Sequence, residues 1–264
     1  MDMACFSAVM AVSALAFTGL SVTKPTAHRV FHQTAALFCF VAAIGYWIMG
    51  SGLGDIPTVV EFARPDSAMV SGAGPGGTRQ IFYVRYINWA VLSPLVVLAL
   101  LLSSGAPLSL TTMLATEIYV VTLLVGALTA TSYKFGYLAF GIAAQWFVLY
   151  QLLMPGRQHA AAVGGSVSST YLTAALLTVV VWIFYPIAWG LCEGGNILHP
   201  DSEAIFYGIL DIFAKPVVGF ILVLGHRNID FASLGFASQK PGPVGEKTTV
   251  AAPAGGVSNG GGAA

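Results

Sequence analysis

Charged residues are scarce in this chain. Only 8% of its 264 residues are Asp, Glu, Lys or Arg, whereas soluble domains usually carry about 25%. Hydrophobic residues make up 56% of the sequence, and the mean hydropathy is +0.80. Because this composition cannot supply a polar surface, it excludes an ordinary soluble protein and a disordered chain. The sequence therefore predicts a polytopic membrane protein in a lipid bilayer.

An excess of one charge and a cysteine framework are also lacking. Eleven basic and eleven acidic residues cancel, so the composition excludes a nucleic-acid binder. The three cysteines, Cys5, Cys39 and Cys192, are too few and too scattered for a disulfide framework or a metal cluster. We therefore expect neither a nucleic-acid partner nor a bound metal.

Long apolar runs dominate what is present. A helix needs about 20 mostly apolar residues to cross a bilayer, and seven runs meet this length: 3–22, 30–51, 81–103, 110–132, 135–154, 170–191 and 204–225. Residues 52–80 and 155–168 are polar or rich in small residues and are interpreted as loops. The sequence predicts an all-α membrane protein, a seven-transmembrane helix bundle over residues 1–227, and a disordered cytoplasmic tail over 228–264.

The distribution of Lys and Arg predicts the orientation of this bundle. Six basic residues fall on the side of the C-terminus: Lys24, Arg29, Arg157, Arg227, Lys240 and Lys247. Three fall on the opposite side: Arg64, Arg79 and Lys134, the last of which we interpret as a snorkelling helix-end residue. Since cytoplasmic loops are enriched in Lys and Arg, we expect the C-terminus in the cytoplasm and the N-terminus outside.

Two charges lie deep in the seventh run. Asp211 and Lys215 are four residues apart, so they share one helix face. Charges inside a span are costly and are functional candidates by default. One interpretation is a structural ion pair that fixes helix packing. The other is that the Lys215 amine forms a Schiff base with a long apolar aldehyde, and that Asp211 is its counterion.

Aromatic residues of the sixth run favour the second interpretation. Trp182, Tyr185, Pro186 and Trp189 recur at helical spacing, and the proline kinks the helix. An aromatic stripe by itself is more typical of core or lipid-facing packing. Together with an intramembrane Asp-x-x-x-Lys, it indicates a slot for a rigid apolar ligand.

Four motifs in order resemble the microbial (type I) rhodopsins, the seven-helix retinal proteins. They are Arg-Tyr-Ile-Asn-Trp-Ala-Val-Leu-Ser-Pro at 85–94, Val-Gly-Ala-Leu-Thr at 125–129, Trp-x-x-Tyr-Pro-x-x-Trp at 182–189 and Leu-Asp-x-x-Ala-Lys at 210–215. The stretches that begin at Tyr185 and Phe206 are most similar to the fungal opsin branch.

The resemblance implies all-trans retinal, bound covalently to Lys215 with Asp211 as counterion. It implies a pocket formed by Trp89, Leu92, Ser93, Tyr119, Leu138, Gly141, Gln145, Trp182, Tyr185, Pro186, Trp189 and Ala214. The residues implied for an ion pathway are Arg85, Asn88, Glu193 and Glu203. A homo-oligomer, either a dimer or a trimer, is also implied.

Three positions depart from the proton-pumping pattern of the family. The usual proton acceptor, an Asp, is replaced by Asn88, and an amide does not take up a proton at physiological pH. The usual donor is replaced by Ala99, and the usual threonine by Leu92. These changes favour a sensory or poorly transporting photoreceptor.

Two alternatives stay open. A light-driven transporter could be a proton or chloride pump or a channel, although Leu92 removes the usual hydroxyl ligand for chloride. An opsin-related membrane protein with a non-photochemical role is less favoured, because Lys215 is retained. We expect no enzymatic activity. Glu117, inside the fourth run, is interpreted as a structural carboxylate.

Overall fold

The computed structural model describes residues 3–62, 77–229 and 231–235. Three basic residues used to predict the orientation, Arg64, Lys240 and Lys247, lie outside the described residues. So does the part of the predicted tail from 236 onward.

The described chain is a bundle of helices, and seven stretches are long and apolar enough to cross a membrane. Four are single helices: α1 Met3–Val22, α2 Val30–Gly50, α3 Tyr83–Ser104 and α4 Leu110–Leu128. The fifth combines α5 Lys134–Gln151 with α6 Arg157–Val163, the sixth is α7 Gly165–Trp189 with its extension, and the seventh combines α8 Pro200–Ile212 with α9 Val218–Gly225. The predicted seven-span all-α fold is confirmed.

Three π-helical turns interrupt the long spans, at Leu152–Gly156, Gly190–Gly194 and Phe213–Val217. The last contains both Lys215 and Pro216. Proline has no backbone N–H to donate, so the regular helical ladder cannot continue through it. Wide turns of this kind occur frequently at functional sites, and here one of them positions the intramembrane lysine.

The segment 52–80, predicted to be a loop, contains a short hairpin. Strand β1, Ile56–Val59, pairs antiparallel with β2, Thr78–Ile81, in a register that joins Ile56 to Ile81. A two-stranded hairpin is marginal by itself. This one is held by its contacts with the bundle, described below, which the polar composition of the segment gave no reason to expect.

Two further predictions differ from the structure. The loop predicted at 155–168 is helical through Val163, and the chain reverses at Gly164 and Gly165, whose φ angles are +80° and +54°. Glycine adopts this left-handed region without the steric cost that a Cβ imposes. The start of the predicted tail is also ordered, because residues Phe231–Leu234 form a 3-10 helix with Phe231 and Leu234 buried.

Candidate functional site

An ion pair lies at the centre of the seventh span. Asp211, in α8, and Lys215, in the following π turn, are 2% and 3% exposed, and the Lys215 Nζ contacts the Asp211 Oδ1 directly. A buried charge whose partner is removed is strongly destabilising, so each residue requires the other. The structure brings together the two residues that carry the sequence prediction.

Two tyrosines complete the surroundings of the carboxylate. The Tyr185 hydroxyl of α7 donates to Asp211 Oδ1 at 2.5 Å, and the Tyr46 hydroxyl of α2 donates to Oδ2 at 2.7 Å. With the Lys215 amine, three donors converge on one side chain. Because the donors come from separate spans, they fix the orientation of the carboxylate relative to the bundle.

A cavity of about 420 Å³ lies beside this pair. Its lining is apolar and aromatic apart from the lysine and a few hydroxyls, and it consists of Trp89, Leu92, Ser93, Val96, Tyr119, Val120, Trp182, Tyr185, Ala214 and Lys215. A reactive amine in an otherwise apolar slot is the chemistry that attachment of a long aldehyde requires.

The lining differs in part from the set that the resemblance implied. Val96 and Val120 were missed, although they stand one helical turn after Leu92 and directly after Tyr119. Six of the implied residues do not line the cavity: Leu138, Gly141, Gln145, Pro186, Trp189 and Asp211. The structure therefore assembles the lysine end of the implied pocket more completely than the other end.

Three of these six residues hold neighbouring helices together. The Gln145 amide of α5 donates to the Trp182 carbonyl at 2.7 Å, and the Trp189 indole of α7 donates to the Leu123 carbonyl at 3.1 Å. A Cβ on Gly141 would lie 2.8 Å from the Thr122 hydroxyl, so this glycine allows α5 to approach α4 closely.

Pro186 and Leu138 complete the set. Pro186 lines an open groove between α5 and α7, together with Gln145. Leu138 is half-buried and packs against the core.

An aromatic layer lies between the cavity and the outer end of the bundle. The Trp89 ring centroid lies 5.2 Å from those of Tyr86, Tyr185 and Tyr207, with steep interplanar angles of 70°, 89° and 61°. Edge-to-face contacts of this kind are favourable aromatic geometries. Trp89 thus belongs both to the cavity wall and to the aromatic layer.

Asn88, at the implied acceptor position, is buried against α2. A Cβ on Gly45 would lie 2.7 Å from the Asn88 Cγ, so the Asn88 side chain can occupy this position only because residue 45 is a glycine. Asn88 is not among the residues that line the cavity. Ala99, at the implied donor position, is also buried and brings no titratable group.

An outer polar cluster, formed by Arg79, Arg85, Lys134, Glu193 and Glu203, lies beyond the aromatic layer. Arg85 of α3 contacts Glu203 directly, and it lies 3.4 Å from a Glu193 oxygen. The guanidinium also stacks 4.3 Å from the ring centroid of Tyr207, whose hydroxyl donates to Glu193 at 3.0 Å. The implied pathway residues Arg85, Glu193 and Glu203 are therefore brought together, while Asn88 is not among their partners.

Arg79 is a member of this cluster that the sequence analysis treated only as a loop charge. It extends from β2 and is buried, with one nitrogen 2.5 Å from Glu203 Oε2. Its other terminal nitrogen donates to the Asn196 side chain at 2.8 Å and to the Leu198 carbonyl at 2.7 Å. Asn196 in turn donates to the Phe62 carbonyl at 3.2 Å, so the hairpin is tied to the loop before α8. No pattern in the sequence distinguished this arginine from a solvated one.

Lys134 is the second correction in this region. The prediction of a snorkelling residue is wrong, because Lys134 is buried and its ammonium donates to the Glu193 carbonyl at 2.8 Å. Glu117, by contrast, is half-buried on α4 and forms no ion pair with any described residue.

Cys192 lies close to two carboxylates of this cluster. Ligand atoms of Cys192, Glu193 and Glu203 lie within 4.8 Å of one another. Arg79 and Arg85 occupy both oxygens of Glu203, so guanidinium groups already supply the positive charge here.

Comparisons with known proteins agree with this geometry. A family model described as "Bacteriorhodopsin-like protein" matches residues 3–229. The chain belongs to this family. It is also 50% identical over 230 residues to "Opsin-like protein carO" of Fusarium fujikuroi, covering 86% of this chain and 73% of that protein.

Solved structures of the family share the fold. The light-driven proton pump of Coccomyxa subellipsoidea superposes with a TM-score of 0.77 at 33% identity, over 84% of this chain and 94% of that one. Halorhodopsin, described as a light-driven chloride pump, superposes with a TM-score of 0.75 at 27% identity, over 84% and 91%. Members of this family bind retinal through a Schiff-base lysine, and this chain is a multi-pass integral membrane rhodopsin of the fungal opsin-like kind.

Proposed function

We propose that this rhodopsin is a retinal-binding photoreceptor with little or no ion transport. Its retinal is attached to Lys215, and Asp211 is the counterion. The observation that carries the proposal is the buried Lys215–Asp211 pair beside an apolar cavity of about 420 Å³. The residues present fit the group, because an amine stands at one end of a slot with aromatic walls.

The chain's own residues divide the work between them. All-trans retinal, when bound, supplies the absorption of visible light and a photoisomerisation. Trp89, Trp182 and Tyr185 enclose the slot and restrict the shapes that an elongated ligand can adopt. Asp211 supplies the negative charge beside Lys215, and its two tyrosine donors keep that charge in place.

The lack of a proton relay supports a sensor over a pump. Asn88 and Ala99 offer no carboxylate at the positions that accept and return a proton in pumping relatives. On the outer side, Glu203 contacts both Arg79 and Arg85, so it is held in ion pairs with two guanidinium groups.

The orientation belongs to the same proposal. The C-terminus faces the cytoplasm, since the basic residues near the span ends favour that side. The outer polar cluster then faces the exterior. A dimer or trimer stays a prediction of the family resemblance.

Light-driven transport in cells that express the chain is the decisive test. External pH and membrane current are recorded during illumination, with chloride present and with chloride replaced by sulfate. We expect an absorption band in the visible after retinal is added, and no sustained pH change or photocurrent. The Lys215→Ala variant, which cannot attach the aldehyde, is the control for heating and for endogenous light responses.

Each contrary result identifies an alternative. A sustained pH change would show a proton pump, and a current that disappears without chloride would show an anion pump that uses the neutral Asn88. The anion pump is kept as an alternative because halorhodopsin, described as a light-driven chloride pump, is among the solved structures that resemble this chain. A chain that forms no visible band with retinal would have a non-photochemical role.

A further inference from the structure

A second, smaller pocket lies at the opposite end of the bundle from the outer polar cluster. Its volume is about 230 Å³, and it lies where α1 leads into α2 and where α9 ends. Five of its eight lining residues are basic: Lys24, His28, Phe31, His32, Val223, His226, Arg227 and Phe231. No acidic residue among the described ones lines it.

His32 is the buried polar group of this pocket. It is 6% exposed, and its Nδ1 has no hydrogen-bond partner. The backbone of His28, one turn earlier, lies near this imidazole. Native proteins rarely leave a buried polar atom unpaired, because its lost hydration is not repaid. The imidazole is therefore available to a ligand in the pocket.

Two permanent cations stand at the same pocket. Lys24 and Arg227 form no ion pair with any residue in the described part of the chain. Lys24 is half-buried and Arg227 is exposed, and both line the pocket. An anion in the pocket would find two permanent cations in the lining and would meet the unpaired imidazole as well.

Stacked rings keep the pocket open. The His28 and Phe231 rings stack with centroids 4.3 Å apart, and the Phe31 and His226 rings are also 4.3 Å apart. The two nitrogens of His226 face the carbonyls of Leu222 and Ser103, at 2.8 and 3.3 Å. His226 is thus a wall of the pocket, and the other basic groups of the lining belong to Lys24, His28, His32 and Arg227.

We propose that this pocket binds a phosphate monoester, supplied by an anionic lipid headgroup or by free phosphate. A compact dianion suits a site that combines an ammonium, a guanidinium and imidazole nitrogens within a small volume. Basic pockets between transmembrane helices on the cytoplasmic side are known sites for anionic headgroups, and our predicted orientation places the pocket on that side. Neither retinal attachment nor transport enters this inference.

Native mass spectrometry of the full chain in detergent tests the proposal. The chain is titrated with dioleoylphosphatidic acid and, separately, with dioleoylphosphatidylcholine. We expect one phosphatidic acid molecule to bind more tightly than phosphatidylcholine. Lys24→Gln and Arg227→Gln should each weaken that binding roughly fivefold, the change expected for one basic residue near a lipid phosphate. Arg157→Gln, which removes an exposed arginine near the same end, is the matched control and should leave it unchanged.

Further arms separate the two sources of phosphate and test the histidine. If inorganic phosphate raises the unfolding temperature at constant ionic strength and displaces phosphatidic acid, free phosphate binds at the same site as the lipid. If only the lipid binds, the lipid headgroup is the ligand. His32→Asn should weaken binding while helix content by circular dichroism stays unchanged. Equal binding of the two lipids, or no effect of the three pocket substitutions, would overturn the proposal.

One residue of the chain itself could compete for the pocket. Asp230 follows the last residues of the span and lies outside the described residues. Phosphate binding that is present only in Asp230→Asn would mean that the chain's own carboxylate fills the pocket, and it would also overturn the proposal.

Discussion

Replacing Arg79 with Gln tests whether the hairpin is a structural part of the outer polar cluster. Arg79 is buried, and its substitution removes the contact with Glu203 at 2.5 Å and two further hydrogen bonds, at 2.8 and 2.7 Å. Removal of one partner from a buried ion pair costs about 3–5 kcal/mol. Since Arg85 still contacts Glu203, we expect the lower end, a loss of about 3 kcal/mol in the free energy of unfolding.

Unfolding in mixed micelles with increasing dodecyl sulfate, followed by circular dichroism, measures this change. Gln80→Ala is the matched control, because Gln80 is the next residue of β2 and its amide donates to Asp55 at the surface, at 2.7 Å. Exposed substitutions of this kind usually change stability by less than about 0.5 kcal/mol.

A double-variant cycle distinguishes charge compensation from packing. In Arg79→Gln with Glu203→Gln, the carboxylate that lost its partner is gone, so the combined loss should be clearly smaller than the sum of the two single losses. Additive losses would show that Arg79 acts through packing alone. A loss of less than about 1 kcal/mol in Arg79→Gln would refute the reasoning about the buried pair.

Three further predictions concern the retinal site and one buried histidine. Lys215→Ala should abolish any visible band formed with added retinal, and a band that survives would overturn the attachment site. Asp211→Asn should shift that band strongly, and an unshifted band would overturn the assignment of Asp211 as counterion. Gly45→Val should lower the free energy of unfolding by about 1–3 kcal/mol, because its side chain overlaps Asn88; an unchanged denaturation midpoint would contradict the close contact. Burial lowers the pKa of His226 below its usual 6.5. Below about pH 6.5 the unfolded chain therefore binds more protons than the folded chain, and stability falls as the pH decreases. The unfolding temperature of His226→Asn should drop less between pH 7 and pH 5 than that of the unchanged protein.

The parts of the structure that the sequence predicted well depend on local patterns. Seven spans follow from runs of apolar residues, and the face shared by Asp211 and Lys215 follows from a spacing of four residues. Both are properties of one helix, so no knowledge of neighbouring helices was needed. Trp182 and Tyr185 were likewise reached from helical spacing within one run. The lining residues Leu92, Ser93 and Tyr119 came only through the family resemblance, which carries tertiary information that composition lacks.

The residues that sequence reasoning missed depend on contacts between distant segments. Arg79 and Lys134 look like ordinary span-end charges, and only their approach to Glu203 and Glu193, more than fifty positions away, buries them. The hairpin was missed for the same reason, because its short strands are stabilised by tertiary contacts rather than by an alternating apolar pattern. A Lys or Arg near a span end can snorkel or can pair, and spacing along the chain does not distinguish the two.

The placement of charge explains why a neutral residue is tolerated at position 88. The Lys215 ammonium is balanced by Asp211, four residues earlier on the same helix face, and that carboxylate takes its remaining donors from tyrosines that carry no charge. Arg85, the nearest permanent cation on α3, is instead paired with Glu203 and Glu193 beyond the aromatic layer. The ion pairs of each centre are thus formed within that centre. Because neither centre needs a charge from position 88, an uncharged amide there leaves the Lys215–Asp211 pair and the Arg85 ion pairs intact.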